Sequence, residues 1–356
     1  GGYIEYRQPN TVSAASGTGR LYARLARLSL NPQQSAQVEA ALAQQPASIP
    51  ALDVVVDQFD LNGKALGHLE IEAINRLVDS GLRHAAVRDG ALREWRLTKL
   101  NLSVPEATLT ASGNWATVNA QGTGSGNAVK GAAPVRRSVL NLRLDIADAG
   151  ELLKRLGLDG VIRKGKGSLQ GQLVWLGSPM RLDYPSLGGQ LNLNVENGQF
   201  LKAEPGLAKL LGVLSLQSLP RRLTLDFRDV FSEGFSFDFV RGDARIEQGI
   251  ASTNNLQMKG VNAAVLMEGS ADIARETQNL RVVVVPEINA ATASLITAAI
   301  NPVVGLGTFL AQLILRKPLS EAATREFVID GTWADPRVTP VQRRASNSET
   351  APEASA

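Results

Sequence analysis

Strict alternation of apolar and polar residues recurs along most of the chain. Between residues 190 and 196, Leu191, Leu193 and Val195 alternate with polar residues. A period of two places successive side chains on opposite faces of a strand, so these three share one face. Roughly a dozen such segments predict a mainly antiparallel sheet with one polar and one apolar face.

Short turn signals separate these segments. Asn and Gly tolerate the positive φ of tight turns, so such pairs between alternating segments predict hairpins. We therefore expect turns at Asn62-Gly63, Asn197-Gly198, Gln248-Gly249 and Gly260.

A few helices interrupt the strands. Asp148 is placed to cap a helix over 149–156, with Glu151 in the capping-box position and Gly157 ending it. Residues 35–45 are typical of a short helix or a polar linker. Residues 206–216 are apolar on all sides, which predicts a buried helix. The small polar residues of 117–134 predict a loop.

Residues 288–315 contain no charged residue. That length is enough to cross a bilayer, but Pro302 near the middle favours two short helices with a hinge between them. These helices either close the end of the sheet or contact a membrane. Arg316 and Lys317 follow directly and are suited to anionic headgroups.

The composition argues against several classes of function. The 356 residues carry a net charge of +3, which gives no nucleic-acid footprint, and they contain no cysteine and two histidines. No spacing of His and carboxylates indicates a metal site or a catalytic group. We therefore expect neither an enzyme nor a cofactor.

The apolar face of the predicted sheet must be covered. From the residues alone, a second protein layer is the favoured cover, as in a β-sandwich. The alternative is a curved sheet whose groove is filled partly by lipid chains.

Four stretches of the chain point to a family. They are the helical segment 206–216 and three motifs around it, namely Asn197-Gly198-Gln199-Phe200-Leu201, Leu219-Pro220-Arg221-Arg222-Leu223 and Asp229-Val230-Phe231. Together they resemble the carboxy-terminal part of the YhdP family, which consists of large Gram-negative envelope proteins of the AsmA-like group. The likeness is continuous over about 51–338 and looser before that.

The resemblance implies a fold and a set of boundaries. It implies a long, twisted antiparallel sheet that forms a β-groove, with short apolar helices at 205–218 and 288–316. Residues 1–50 would start the groove, 51–340 would form its carboxy-terminal part, and 341–356 would be a disordered tail.

The resemblance also implies a function. The chain would be part of a periplasmic, bridge-like protein of outer-membrane biogenesis that moves phospholipid between the inner and outer membranes. An amino-terminal segment outside this sequence would anchor the protein in the inner membrane, and envelope proteins would be further partners. The alternative is a non-enzymatic envelope scaffold with a fully packed β core.

Two sets of apolar residues are candidates for the function. One set alternates along strands and would form the inner wall of the groove; the other would lie on the helices that cap the groove or contact a membrane. The groove set is Leu52, Val54, Val56, Leu69, Ile71, Leu140, Leu142, Leu144, Leu191, Leu193, Leu223, Leu225 and Phe227. The helix set is Leu207, Leu210, Leu211, Leu214, Leu295, Ile296, Val303, Val304, Phe309, Leu310 and Leu313.

Overall fold

The fold is known from a computed structural model. It describes residues 1–8, 19–44, 49–77, 93–117, 135–201, 235–261, 263–286 and 325–341. The predicted loop over 117–134 beyond Thr117, the apolar helices at 205–218 and 288–316, and the tail from 342 lie outside these residues.

Fifteen strands form a single open sheet in which each strand is hydrogen-bonded to its neighbours in chain order. This confirms the mainly β fold and the single long sheet. The strands are β1 Gly2–Arg7, β2 Arg20–Leu30, β3 Ala51–Leu61, β4 Lys64–Leu77, β5 Arg93–Val104, β6 Ala107–Thr117, β7 Arg136–Ile146, β8 Ile162–Leu176, β9 Gly188–Phe200, β10 Phe235–Glu247, β11 Ile250–Gly260, β12 Ala263–Asp272, β13 Thr277–Pro286, β14 Arg325–Thr332 and β15 Pro336–Pro340.

One pair of strands departs from the antiparallel prediction. β2 and β3 are parallel. A parallel pair requires the chain to return to the end of the sheet at which the first strand began, and helix α1 (Pro32–Gln44) lies in this connection. The sequence left this segment open between a helix and a linker. Its start is a reciprocal cap: the Asn31 side chain accepts from the Gln34 N–H at 2.8 Å, and the Gln34 side chain accepts from the Asn31 N–H at 3.0 Å.

The Asn-Gly signals have two different outcomes. Asn62 (φ 52°) and Gly63 (φ 80°) form the predicted two-residue hairpin turn between β3 and β4. The turn predicted at Asn197-Gly198 is wrong, because both residues lie inside β9. Asn197 has a φ of 56°, and it lies between Glu196 and Gly198, which pair with Lys166 and Lys164 of β8. The positive φ therefore serves an irregularity within the strand.

Helix α2 (Ala149–Arg155) forms as predicted. The Asp148 side chain accepts a hydrogen bond from the Glu151 N–H at 3.1 Å. In a complete capping box the Glu151 side chain would accept from the Asp148 N–H. Here that N–H donates instead to the Glu106 carbonyl at 3.1 Å. That bond connects α2 to the turn between β5 and β6.

Burial is uneven along the sheet. The main core cluster of buried residues lies toward the β10–β14 end, where Phe237, Val282 and Phe327 are at most 4% exposed. At that end both faces are covered, because Val283 and Val285, on the opposite face, are also buried. The sequence did not predict β15, which forms an edge of the sheet and carries Pro336 and Pro340.

Candidate functional site: the apolar face of the sheet

The register of the strands brings apolar residues into rows that run across the sheet. Residues paired directly across neighbouring strands share a face. One such row, the central row, crosses ten strands, which spans roughly 43 Å at the usual strand spacing. From β1 to β10 it consists of Ile4, Ala23, Val54, Ile71, Leu100, Ala111, Leu142, Gly171, Leu191 and Ala244.

Two further rows flank the central row on the same face. We call the first the leucine row, because six consecutive strands each contribute a leucine to it, and the second the flanking row. The leucine row is Gly2, Leu25, Val56, Leu69, Leu102, Leu109, Leu144, Leu169, Leu193 and Gly242. The flanking row is Tyr6, Leu21, Leu52, Ala73, Leu97, Gly113, Leu140, Leu173, Gly189 and Ile246.

These three rows, which together we call the apolar face, contain no charged residue. Tyr6 is the only member with a polar side-chain group. Most large members are half-buried, among them Leu102, Leu144 and Leu191. A face pressed against a second protein layer would bury such leucines almost completely. The apolar face between β4 and β10 is therefore only partly covered.

The sequence-predicted groove residues meet on this face. All ten of those that the structure describes belong to one of the three rows, from Leu52 and Val54 on β3 to Leu193 on β9. The other three, Leu223, Leu225 and Phe227, lie outside the described residues. The same is true of the whole helix set, namely Leu207, Leu210, Leu211, Leu214, Leu295, Ile296, Val303, Val304, Phe309, Leu310 and Leu313. Within the described residues, no helix has the length and apolar character needed to span a bilayer.

The opposite face is polar, and many of its charges form ion pairs. Glu94 is its most buried carboxylate, with a side chain 6% exposed. Burial raises the pKa of Glu94, but hydrogen bonds from Asn114 and Arg76, both 2.8 Å long, outweigh burial and leave the pKa below its usual value. The ionised carboxylate on β5 thus connects β4, which carries Arg76, to β6, which carries Asn114, on the polar face.

Two shallow hollows, of about 530 and 440 Å³, border the central row near Leu142. Their remaining lining residues, including Arg143, Gln170 and Asp243, point to the polar face in the strand register. The members of the central row that line these hollows therefore contribute backbone atoms to the bottom of each hollow. Both hollows open on the polar face and are separate from the apolar face.

Helix α2 closes one margin of the apolar face. Ala149 packs into the main core cluster beside Val195. Arg155 pairs with Glu106, including a 3.1 Å bond from its Nη2, and its Nη1 donates to the Ala65 carbonyl at 2.9 Å. The hydrogen bond from Arg155 holds the pKa of Glu106 below its usual value. The charges at this margin therefore satisfy each other.

The sequence analysis missed a row at the opposite margin. Next to the flanking row, five paired residues form what we call the tryptophan row: Asn75, Trp95, Trp115, Ser138 and Trp175. Trp115 and Trp175 are in phase with the apolar residues of their own strands, and that phase was the available signal. Trp95 is in phase only with Leu97, because an irregularity between Leu97 and Leu100 interrupts the alternation in β5. Only the register shows that the three indoles line one margin.

Titratable groups do not converge elsewhere in the described parts of the chain. No group of three or more His, Asp or Glu residues there could hold a metal ion. His68 lies on the polar face, with its Nε2 3.2 Å from Glu70 Oε1, and His84 lies outside the described residues.

Comparison with known proteins adds a relationship. The family model described as YhdP protein matches residues 3–338. The intermembrane phospholipid transporter YhdP of Escherichia coli (strain K12) is 33% identical over 189 residues, which is 53% of this chain and 15% of that relative. The chain therefore matches only a small part of the relative's length. No solved structure matches.

Proposed function

Because the chain belongs to the YhdP family, we propose that it is part of a periplasmic conduit that carries phospholipid between the inner and outer membranes. The acyl chains would lie on the apolar face, and the sheet would curve around them as a groove. The transport would need no enzymatic step in this part of the protein. The relative's name, an intermembrane phospholipid transporter, supports the class of cargo.

The single observation that carries the proposal is the uncharged, half-buried apolar face across ten strands. Burying apolar surface contributes about 25 cal/mol per Å², so two acyl chains would gain substantially by covering the exposed parts of the leucines. Aliphatic side chains offer no directional hydrogen bond. A lipid could therefore shift from strand to strand along the rows without a strong trap.

A scaffold with a packed β core is the second candidate, and one observation favours it. At the β12–β13 end the sheet is buried on both faces, with Val282 and Val284 on one side and Val283 and Val285 on the other. That end is built as a closed core. The two functions therefore make opposite predictions for the region between β4 and β10.

Lipid extraction followed by native mass spectrometry of the purified chain tests the proposal. We expect phospholipid to co-purify with the protein, and Val54→Asp or Leu142→Asp to remove it, because each places a charge in the central row. Asn141→Asp is the matched control: it adds a charge one residue away, on the polar face, and should keep the lipid.

Circular dichroism and melting curves must show that the variants fold. A wild-type chain without bound lipid would contradict the conduit. So would folded Leu142→Asp protein that retains lipid as well as Asn141→Asp does. Either result would favour the scaffold.

A further inference from the structure

Two indole N–H groups in the tryptophan row have no acceptor among the described residues. The Trp175 N–H donates to the Ser178 carbonyl at 2.8 Å. The N–H groups of Trp95 and Trp115, which face each other across β5 and β6, are buried without a hydrogen-bond partner in the part of the chain that the structure describes. Trp115 as a whole is only 3% exposed. Buried donors are nearly always satisfied, so an unmatched pair calls for an explanation.

The next residue pair outward adds two more donors. Thr117 on β6 pairs with Arg136 on β7, two residues beyond Trp115 and Ser138 and so on the same face. The Thr117 hydroxyl is also buried, and no described residue is its hydrogen-bond partner. The Arg136 guanidinium carbon lies 4.8 Å from the centre of the Trp115 ring.

Arg136 lacks a counter-ion within the described part of the chain. None of the ion pairs among those residues includes it, and partial burial lowers its pKa. Arg155, which lies at the α2 margin of the apolar face, differs from Arg136 because it is paired with Glu106. A partly desolvated cation is stabilised by an anion, and the described residues supply none to Arg136.

The four groups together are suited to one kind of ligand. An arginine and two indole N–H groups can only donate, and a threonine hydroxyl can donate as well. A guanidinium fork matches two oxygens of a phosphate group. Indoles suit a boundary with one apolar and one polar side. The cluster borders the uncharged flanking row, so its natural ligand has a phosphate at one end and apolar chains at the other.

We propose that Trp95, Trp115, Thr117 and Arg136 bind the phosphodiester of a glycerophospholipid whose acyl chains lie on the apolar face. This inference rests on the proposed function and adds the orientation of the lipid. Along β6, Trp115 is six residues from Leu109 of the leucine row, roughly 20 Å. The chains would extend in that direction. At the α2 margin, Arg155 is already paired with Glu106 and is therefore not available to bind a phosphate.

Binding of matched lipids to the full chain tests the orientation. Phosphatidylglycerol and diacylglycerol with the same acyl chains, each presented in detergent, separate the headgroup from the tails. Inorganic phosphate separates a lipid site from a simple anion site. We expect the wild type to bind phosphatidylglycerol at least about tenfold more tightly than diacylglycerol, the effect of about one charge-assisted hydrogen bond. Millimolar inorganic phosphate should leave phosphatidylglycerol binding unchanged.

Substitutions then show which side chains cause the preference for phosphatidylglycerol. Arg136→Gln should weaken phosphatidylglycerol binding about tenfold and leave diacylglycerol binding unchanged. Trp115→Phe, which keeps an aromatic ring but removes the N–H, should have the same selectivity with a smaller effect. Arg137→Gln, on the polar face, and Trp175→Phe, whose N–H is already satisfied, are the matched controls and should bind both lipids like the wild type.

Three results would overturn the proposal. These are equal binding of the two lipids by the wild type, an equal loss of both lipids in Arg136→Gln, and competition by inorganic phosphate at the lipid's own concentration. If Arg136→Gln does not fold, the comparison of Trp115→Phe with Trp175→Phe decides. A wild type that binds neither lipid would instead contradict the proposed function, so the two failures are distinct.

Discussion

The Glu106–Arg155 ion pair joins α2 to the turn between β5 and β6, and its removal should measurably loosen that margin of the sheet. The Glu106 side chain is 7% exposed and that of Arg155 is 29% exposed. Glu106→Gln keeps the shape of the side chain and removes its charge, so the loss reports on the charged bond.

The magnitude follows from the burial of the two partners. Breaking a fully buried pair costs about 3–5 kcal/mol, whereas surface pairs contribute about 0–1 kcal/mol. Arg155 keeps partial solvent contact and its bond to the Ala65 carbonyl, and glutamine retains one acceptor. We therefore expect Glu106→Gln to lower the free energy of unfolding by about 2 kcal/mol at pH 7.

The pH dependence gives a second, independent check. Hydrogen bonding from Arg155 lowers the pKa of Glu106 in the folded protein. Stability from a carboxyl whose folded pKa is depressed is fully present above the unfolded pKa of about 4.3 and is lost as the pH falls through the folded pKa. The stability difference between wild type and Glu106→Gln should therefore be constant near neutral pH and shrink below about pH 4.

Urea denaturation followed by far-UV circular dichroism at pH 7 and at several lower pH values measures both quantities. Asp145→Asn is the control, because Asp145 pairs with Arg143 on the surface, with a side chain 50% exposed, and should change stability by less than about 0.5 kcal/mol. A Glu106→Gln effect no larger than that of the control would refute the reasoning. A difference that stays the same down to pH 2 would refute the assigned cause.

Three further substitutions test the sheet itself. Gly171→Ala should destabilise by several kcal/mol or prevent folding, because an added Cβ would lie 2.0 Å from the Gln190 carbonyl oxygen; a melting temperature equal to the wild type would contradict that register. Gln257→Met should raise the free energy of unfolding by about 1–3 kcal/mol, since both amide atoms of this 2%-exposed side chain lack partners among the described residues. Destabilisation in a urea titration would count against it. Gly63→Ala should cost about 1 kcal/mol in the same titration, because φ is 80° at this hairpin turn, and no loss would show that the turn adapts.

The sequence was sufficient for the one-sided strands, because alternation with a period of two is a local property. It placed Leu52, Leu142 and Leu193 on the apolar side of their strands. It could not show that β2 and β3 are parallel, since alternation is the same in both directions. It also could not distinguish a turn from an irregularity at Asn197, because both require positive φ.

The tryptophan row depends on information that is not local. Trp95, Trp115 and Trp175 lie twenty to eighty residues apart, and only the pairing register aligns them. β15 was missed for another reason. Pro336 and Pro340 argue against a strand in general, and they are tolerated here because β15 lies at an edge.

The prolines of β15 leave that edge with few outward hydrogen-bond donors. The Val341 N–H donates to the Glu326 carbonyl of β14 at 2.9 Å, so by alternation Arg337 and Thr339 also direct their N–H groups inward. The outward positions are Pro336, Val338 and Pro340, and two of these three have no N–H to offer. An incoming chain would find three carbonyl acceptors but a single amide donor there, so it could form only part of the hydrogen bonds of a strand pair. Hydrogen-bonded growth of the sheet, whether by self-association or by capture of another peptide, is therefore disfavoured at β15.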